Sequence, residues 1–320
     1  KQKTAYEISL GLVGSEMCIR DRNILKKVLK LLYFDTKLLS VAKKFRPDIF
    51  LSNGSMYAAQ VSKILGKPHI AMEDTELSTE QYVLYSPFTD LIITPKCFRK
   101  NFGIKHIKYN GYKELAYLHP NYFKPDRSIL NALDVSRNEK FAILRIISWG
   151  ATHDLSLKGI RRNTEMEIIK MLEKYCKVFV SSESKLDKKL EPYKLRIPPE
   201  KIHDVLYYAQ LYIGEGGTMA TEAAILGTPS IHIESTSSGI ASGEFIGNFI
   251  ELRDKYGLLY FYPTQEQASA KAISIFENYT KRDWRKRRKR LIKDKIDVTK
   301  WMTNFVHNYL CGRFEYNKLR

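Results

Sequence analysis

From Asn23 onward, strand-length apolar runs alternate with helix-length amphipathic stretches, and the alternation occurs twice. An apolar-periodic helix over 24–43 leads, after Arg46-Pro47, into a short run at 48–52. A helix over 55–65 stops at Gly66, a run at 69–72 follows Pro68, and a run at 90–94 precedes Pro95. Strands separated by helices make a parallel sheet with right-handed crossovers, covered on both faces. After the Pro-bearing polar stretch 120–126, expected to be a linker, the pattern restarts with strands at 141–147, 177–181, 211–214, 230–233 and 258–261. Helices fit at 163–175, 199–209, 218–226 and 244–256, and further helices at 265–279, 283–293 and 299–310 close the chain. The expected fold class is α/β with two Rossmann-like lobes and a cleft between them. The N-terminal lobe spans 23–119, the C-terminal lobe with its closing helices spans 120–310, and 311–320 form a tail.

The first 22 residues fit neither alternation, and their segment SLGLVGSEMCIRDR reads like translated sequencing adapter. They are expected to be foreign, which leaves the N-terminal lobe incomplete at its first strand and this chain better at binding than at turnover. No apolar run reaches the roughly 18 residues that span a bilayer, and no signal-peptide pattern opens the chain, so a cytoplasmic location is expected. Cys18, Cys97, Cys176 and Cys311 lack paired spacing, which argues against zinc or a disulfide framework.

Chemistry concentrates in Ile202 to Ile233, IHDVLYYAQLYIGEGGTMATEAAILGTPSIHI, which reads as helix, strand, glycine loop, helix and strand. The strand at 211–214 delivers the chain to the C-terminal edge of the sheet, where open α/β folds bind ligands. Gly216 and Gly217 allow close backbone approach, and Thr218 is expected to cap the following helix. Its first-turn amides and dipole favour an anion, and a diphosphate suits that geometry. Glu222, one turn after Thr218, is suited to accept from ribose hydroxyls; a dipole-stabilised helix glutamate is the plainer alternative.

The stretch GEGGTMATEAAILGTP resembles the nucleotide-binding signature of glycosyltransferase-B enzymes and of the nucleotide-sugar 2-epimerases that share their fold. With PDIFLSNGS, YNGYKELAYLHPNYFKP, SWGATHD, IPPEKIHDVLYYA, KYGLLY and DKIDVT, the chain is more closely similar to the prokaryotic domain-of-unknown-function family 354. The resemblance implies a glycosyltransferase-B-like frame, with Gly216, Gly217 and Thr218 on the diphosphate and Glu222 on the ribose of a uridine-type (UDP) sugar donor. The expected activity is sugar transfer from that donor, without metal or further cofactor. Epimerisation or hydrolysis of the donor, and sugar-nucleotide or anionic-surface binding without turnover, are the alternatives. The His-Arg-x-Glu-Asn cluster of the 2-epimerases is missing from the sequence, which counts against epimerisation.

Other polar positions also fall at strand ends. Arg145, Ser148, Gly150, His153 and Asp154 sit at or after the first strand of the second lobe, with Arg145 suited to phosphate and His153 and Asp154 as candidate catalytic groups. Ser182 and Glu183 could border the base. Asn53, Gly54, Ser55, Glu73 and Asp74 could meet the acceptor, although no single base stands out. The formal charge is +18, and residues 281–295 alone carry ten basic and two acidic groups. Trp284, Leu291 and Ile292 mark an inward stripe there, and the arginines, Arg287, Arg288 and Arg290 among them, are expected to be dispensable to the fold. That segment could be a solvated face or could touch an anionic membrane or a lipid-linked acceptor, peripherally; nucleic acid lacks a supporting motif.

Overall fold

The computed structural model describes residues 24–77, 79–136, 138–147, 157–160, 164–182 and 185–313. These pack as two units: the first holds the described residues up to Tyr109 and from Asn304 on, the second those from Asn110 to Thr303.

In the first unit, α1 (Ile24–Phe45), β1 (Phe50–Asn53), α2 (Met56–Ile64), β2 (His69–Met72), α3 (Thr79–Tyr85), β3 (Leu91–Pro95) and β4 (His106–Tyr109) follow one another. The four strands are parallel and lie in the order β1-β2-β3-β4. Helix α2 begins where the Ser55 hydroxyl accepts the Ala58 amide at 3.4 Å, an N-cap that satisfies one otherwise orphaned donor. Two elements were not expected. Strand β4, HIKY, buries only alternate residues as a sheet edge does, so it shows no continuous apolar run. Helix α3 inserts Tyr82 and Tyr85, three residues apart, into a core cluster with Ala59, Ala71, Ile92 and Phe98.

The second unit contains α4 (Leu115–Leu118), α5 (Ile129–Ala132), β5 (Phe141–Ile146), β6 (Leu157–Lys158), α6 (Glu165–Leu172), β7 (Lys177–Ser182), α7 (Ile202–Tyr208), β8 (Leu211–Gly214), α8 (Gly217–Leu226), β9 (Ser230–Ile233) and β10 (Ser235–Thr236). It continues with α9 (Gly247–Asp254), β11 (Leu259–Tyr262), α10 (Gln265–Asn278), α11 (Lys281–Asp294) and the start of α12 (Val298–Leu310). Its main sheet is parallel, in the order β11-β9-β8-β5-β7, and β6 pairs antiparallel with β10 in a two-stranded ribbon. All five expected strands are present.

The expected linker at 120–126 lies inside the second unit. Asn121 and Tyr122 donate to the Asp297 carboxylate at 2.8 and 2.9 Å, and the Asp126 amide donates to Asp204 at 2.8 Å, so the stretch is tied down at both ends. The division between units falls ten residues earlier than the expected end of the first lobe, after Tyr109.

Helix α11 departs from expectation in a way that matters for its charge. It begins at Lys281 because Thr280 and Asp283 form a capping box, with Thr280 N donating to the Asp283 carboxylate at 2.9 Å. Trp284 and Leu291 are fully buried as expected. Three of its cations, however, are bonded inward. Helix α8 is buried from Ala220 to Leu226, so its last carbonyls cannot reach water; the Arg288 Nε–H donates to Ile225 O at 3.1 Å. Lys281 Nζ donates to Tyr208 O and Ala209 O at 2.6 and 2.7 Å, closing the end of α7. Arg287 donates to Gly257 O at 2.5 Å and lies over the Trp284 ring at 4.4 Å. A cation at a helix C-terminus also meets the negative end of its dipole. The expectation that Arg287 and Arg288 are dispensable is thereby corrected. Replacing Arg288 by Ala should lower unfolding free energy by about 1–3 kcal/mol, because a buried carbonyl loses its donor. Lys289→Glu, on the exposed side, should change it by no more than about 0.5 kcal/mol. Urea unfolding of the two variants checks the contrast.

Candidate functional site

In the second sheet the chain winds outward in both directions from the β5/β8 pair, since β7 follows β5 on one side while β9 and β11 follow β8 on the other. Connecting helices leave toward opposite faces at such a point and open a crevice at the carboxyl ends of the two strands. Arg145 on β5 and Gly214 on β8 are paired in register there. Gly214 has φ +143°, and a Cβ on it would run into the Arg145 backbone, so glycine is required by proximity as well as by conformation.

The loop from Gly214 to Gly217 is built around Glu215, a residue the sequence reading passed over. Its side chain is buried, and it accepts the Ile147 amide at 2.8 Å with one oxygen and the Ile160 amide at 2.7 Å with the other. One carboxylate therefore ties the end of β5 to the segment after β6. Tyr212 braces the same loop by donating to Glu215 O at 2.6 Å. Nothing local in GEGG announces this role, because both partners are backbone amides far away in the chain.

Gly216, at φ +87°, is the N-cap of α8 and supplies no side-chain cap; the first helical hydrogen bond runs from Ala220 N to Gly216 O at 3.2 Å. The expected cap, Thr218, is instead an exposed residue inside the first turn. Among the described residues no side chain caps this helix start, so its first-turn amides take no side-chain acceptor at the cap position. A Cβ on Gly216 would come within 3.9 Å of the Arg145 side chain, which places that guanidinium stem beside the loop. Arg145 Nη1 donates to Ser181 Oγ at 2.9 Å.

Beside these groups lies a cavity of ≈ 290 Å³ within the second unit, lined by Arg145, Ser181, Ser182, Lys194, Ile202 and Met219 among others. The expectation that Ser182 borders a ligand base concerns this cavity. Glu222 lies three residues after Met219, on the neighbouring face of α8, and is mostly buried. Its Oε1 accepts from Tyr117 Oη at 2.8 Å and lies 3.0 Å from His203 Nε2. Ser148, Gly150, His153, Asp154 and Glu183 lie outside the described residues.

In the first unit the acceptor candidates separate by environment. Ser55 is taken up as the α2 cap, and Asn53 is exposed. Glu73, at the carboxyl end of β2, is buried, and a Cβ on Gly54 would lie 2.9 Å from its Oε2. It accepts the Asp74 and Thr75 amides at 3.1 and 3.2 Å and the Tyr85 hydroxyl at 3.2 Å. Burial outweighs those hydrogen bonds and raises its pKa to about 6. His69, close by in sequence, is a core group held between Ser52 and Thr89 at 2.8 and 2.9 Å, and burial lowers its pKa to about 4.

Solved structures share this fold at low identity. A structure of S. aureus MnaA with UDP matches with a TM-score of 0.57 at 13% identity, over 91% of this chain and 83% of that one. A UDP-N-acetylglucosamine 2-epimerase matches with a TM-score of 0.59 at 11% identity, over 92% and 80%. The spinosyn forosaminyltransferase SpnP matches with a TM-score of 0.51 at 13% identity, over 85% and 79%. The architecture is thus that of the glycosyltransferase-B and 2-epimerase folds. Among curated proteins, the uncharacterized protein MJ0665 of Methanocaldococcus jannaschii is 25% identical over 218 residues, which are 63% of this chain and 62% of that protein, so the chain spans under two thirds of this relative. The family model for the protein of unknown function DUF354 matches residues 15–239, and the chain belongs to that family.

Proposed function

We propose that this protein transfers a sugar from a nucleotide-diphosphate donor, uridine-linked, that binds at the carboxyl edge of β5 and β8. One observation carries the reading: an uncapped helix N-terminus, the Arg145 side chain and a cavity of ≈ 290 Å³ meet at the crossover point of the second sheet. The α8 amides and Arg145 would hold the diphosphate, the partly apolar cavity would take the base, and Glu222 the ribose. As the bond from the sugar's anomeric carbon to the β-phosphate oxygen breaks, charge grows on the departing diphosphate, where the helix dipole and guanidinium stabilise it. The acceptor hydroxyl forms the new bond and gives its proton to a base.

The competing reading is consumption of donor without acceptor, by epimerisation or hydrolysis, on the same donor site. It draws on the fold shared with a UDP-N-acetylglucosamine 2-epimerase. A binder without turnover would use the same donor site. For the acceptor, the outward stripe of α11 supports a peripheral contact with anionic lipid. Arg282, Arg285, Lys286, Lys289 and Arg290 are exposed there and make no ion pair among the described residues. No described helix is long and apolar enough to cross a membrane.

Calorimetry with UDP checks the donor site: Glu222→Ala should weaken binding by roughly 5- to 150-fold, the loss of a hydrogen bond to a charged group. Nucleotide release assays with and without cell lipids check the reaction, and release that needs lipid supports transfer. For the basic stripe, the triple change of Lys286, Lys289 and Arg290 to Glu should reduce binding to phosphatidylglycerol vesicles severalfold without shifting the melting temperature.

A further inference from the structure

We propose that Tyr117 and His203 are positioning residues that hold the Glu222 carboxylate against the ribose diol, so that the site selects ribonucleotides over 2′-deoxyribonucleotides. The inference rests on the donor-site reading above and deepens it.

Three separate segments converge on this carboxylate. Tyr117 comes from α4, His203 from the start of α7 and Glu222 from the middle of α8. The tyrosine hydroxyl and His203 Nε2 both address Oε1, at 2.8 and 3.0 Å. Their rings lie 5.5 Å apart at 36°, and Phe123 packs edge-on against the imidazole at 6.2 Å, so the two donors are themselves held. With both contacts on Oε1, Oε2 is the oxygen left to accept from a ligand. A ribose diol offers two hydroxyl donors, and an ionised carboxylate only accepts, so the chemistry is complementary.

Position agrees with that role. His203 follows Ile202 and Glu222 stands one turn after Met219, and both Ile202 and Met219 line the cavity beside Arg145. The glutamate side chain keeps 11% of its surface and the histidine 26%, so the cluster is sheltered but reachable. A long glutamate side chain loses rotamer freedom when it engages a ligand, and a brace that removes that freedom beforehand strengthens the contact it makes. Between a ribonucleotide and its 2′-deoxy counterpart, the hydroxyl at the ribose 2′ position is the group that such a carboxylate can require.

The test compares UDP with 2′-deoxyuridine diphosphate by calorimetry on wild type, Tyr117→Phe, His203→Ala, His203→Gln and Glu222→Ala. Wild type should prefer UDP by on the order of tenfold. The preference should shrink to about a third of that or less in Tyr117→Phe and His203→Ala, vanish in Glu222→Ala, and return in His203→Gln, which keeps an N–H at the Nε2 position. Both ligands meet the same folded fraction, so the ratio of their affinities does not move if a variant is merely less stable. A ratio unchanged in Tyr117→Phe and His203→Ala, or a wild type that binds the two nucleotides equally, overturns the inference and leaves the donor site standing. A wild type that binds neither overturns the donor-site reading itself.

Discussion

Side-by-side pairing of β5 with β8 is the constraint on which the rest of the second unit depends. Strands that are separated in the chain by β6, α6, β7 and α7 become neighbours, and the helices on either side must leave toward opposite faces. Arg145 and Gly214 then stand in register, and the close approach leaves no room for a side chain at 214. Glu215 is turned into the interior by the same geometry and gathers the amides of Ile147 and Ile160. Two buried N–H groups are satisfied by one carboxylate, which would be costly to bury without them. The glycine loop is therefore shaped less by its own flexibility than by what lies beneath it.

A second theme is that charge serves structure before it serves partners. The run 281–295 stands out as the most basic part of the chain, and its inward cations close carbonyl ends that burial has cut off from water. Lys295, just beyond α11, is buried and pairs with Glu251 at 2.7 Å, while Tyr112 donates to the same glutamate at 2.7 Å. Helix-rich α/β units with interior helices need such donors, and arginine and lysine reach them across a packed surface. Only the outward stripe remains for interaction, so the charge available to an anionic surface is smaller than composition suggests.

Polar clusters at the two sheet edges follow different logics. In the first unit, burial of Glu73 beside Gly54 raises its pKa to about 6. In the second, Glu222 has its donors supplied by Tyr117 and His203. The two glutamates look alike as letters in a sequence, and only their surroundings set them apart.

Local pattern was enough to reveal the α/β class, the five strands of the second sheet and the glycine loop that opens α8 at Gly216 and Gly217. Each depends on periodicity or on glycine, properties that neighbouring residues express on their own. Strand β4 and helix α3 escaped because their apolar residues are few and gain meaning only against the cluster they complete. The inward bonding of Arg287 and Arg288, the buried role of Glu215 and the brace of Tyr117 and His203 on Glu222 belonged to the tertiary structure alone. Their partners lie 19 to 105 residues away, as with His203 and Tyr117 on Glu222, and are often backbone groups that no sequence letter marks. Strand order has the same origin, since it is long-range pairing, and not any local preference, that set β5 beside β8.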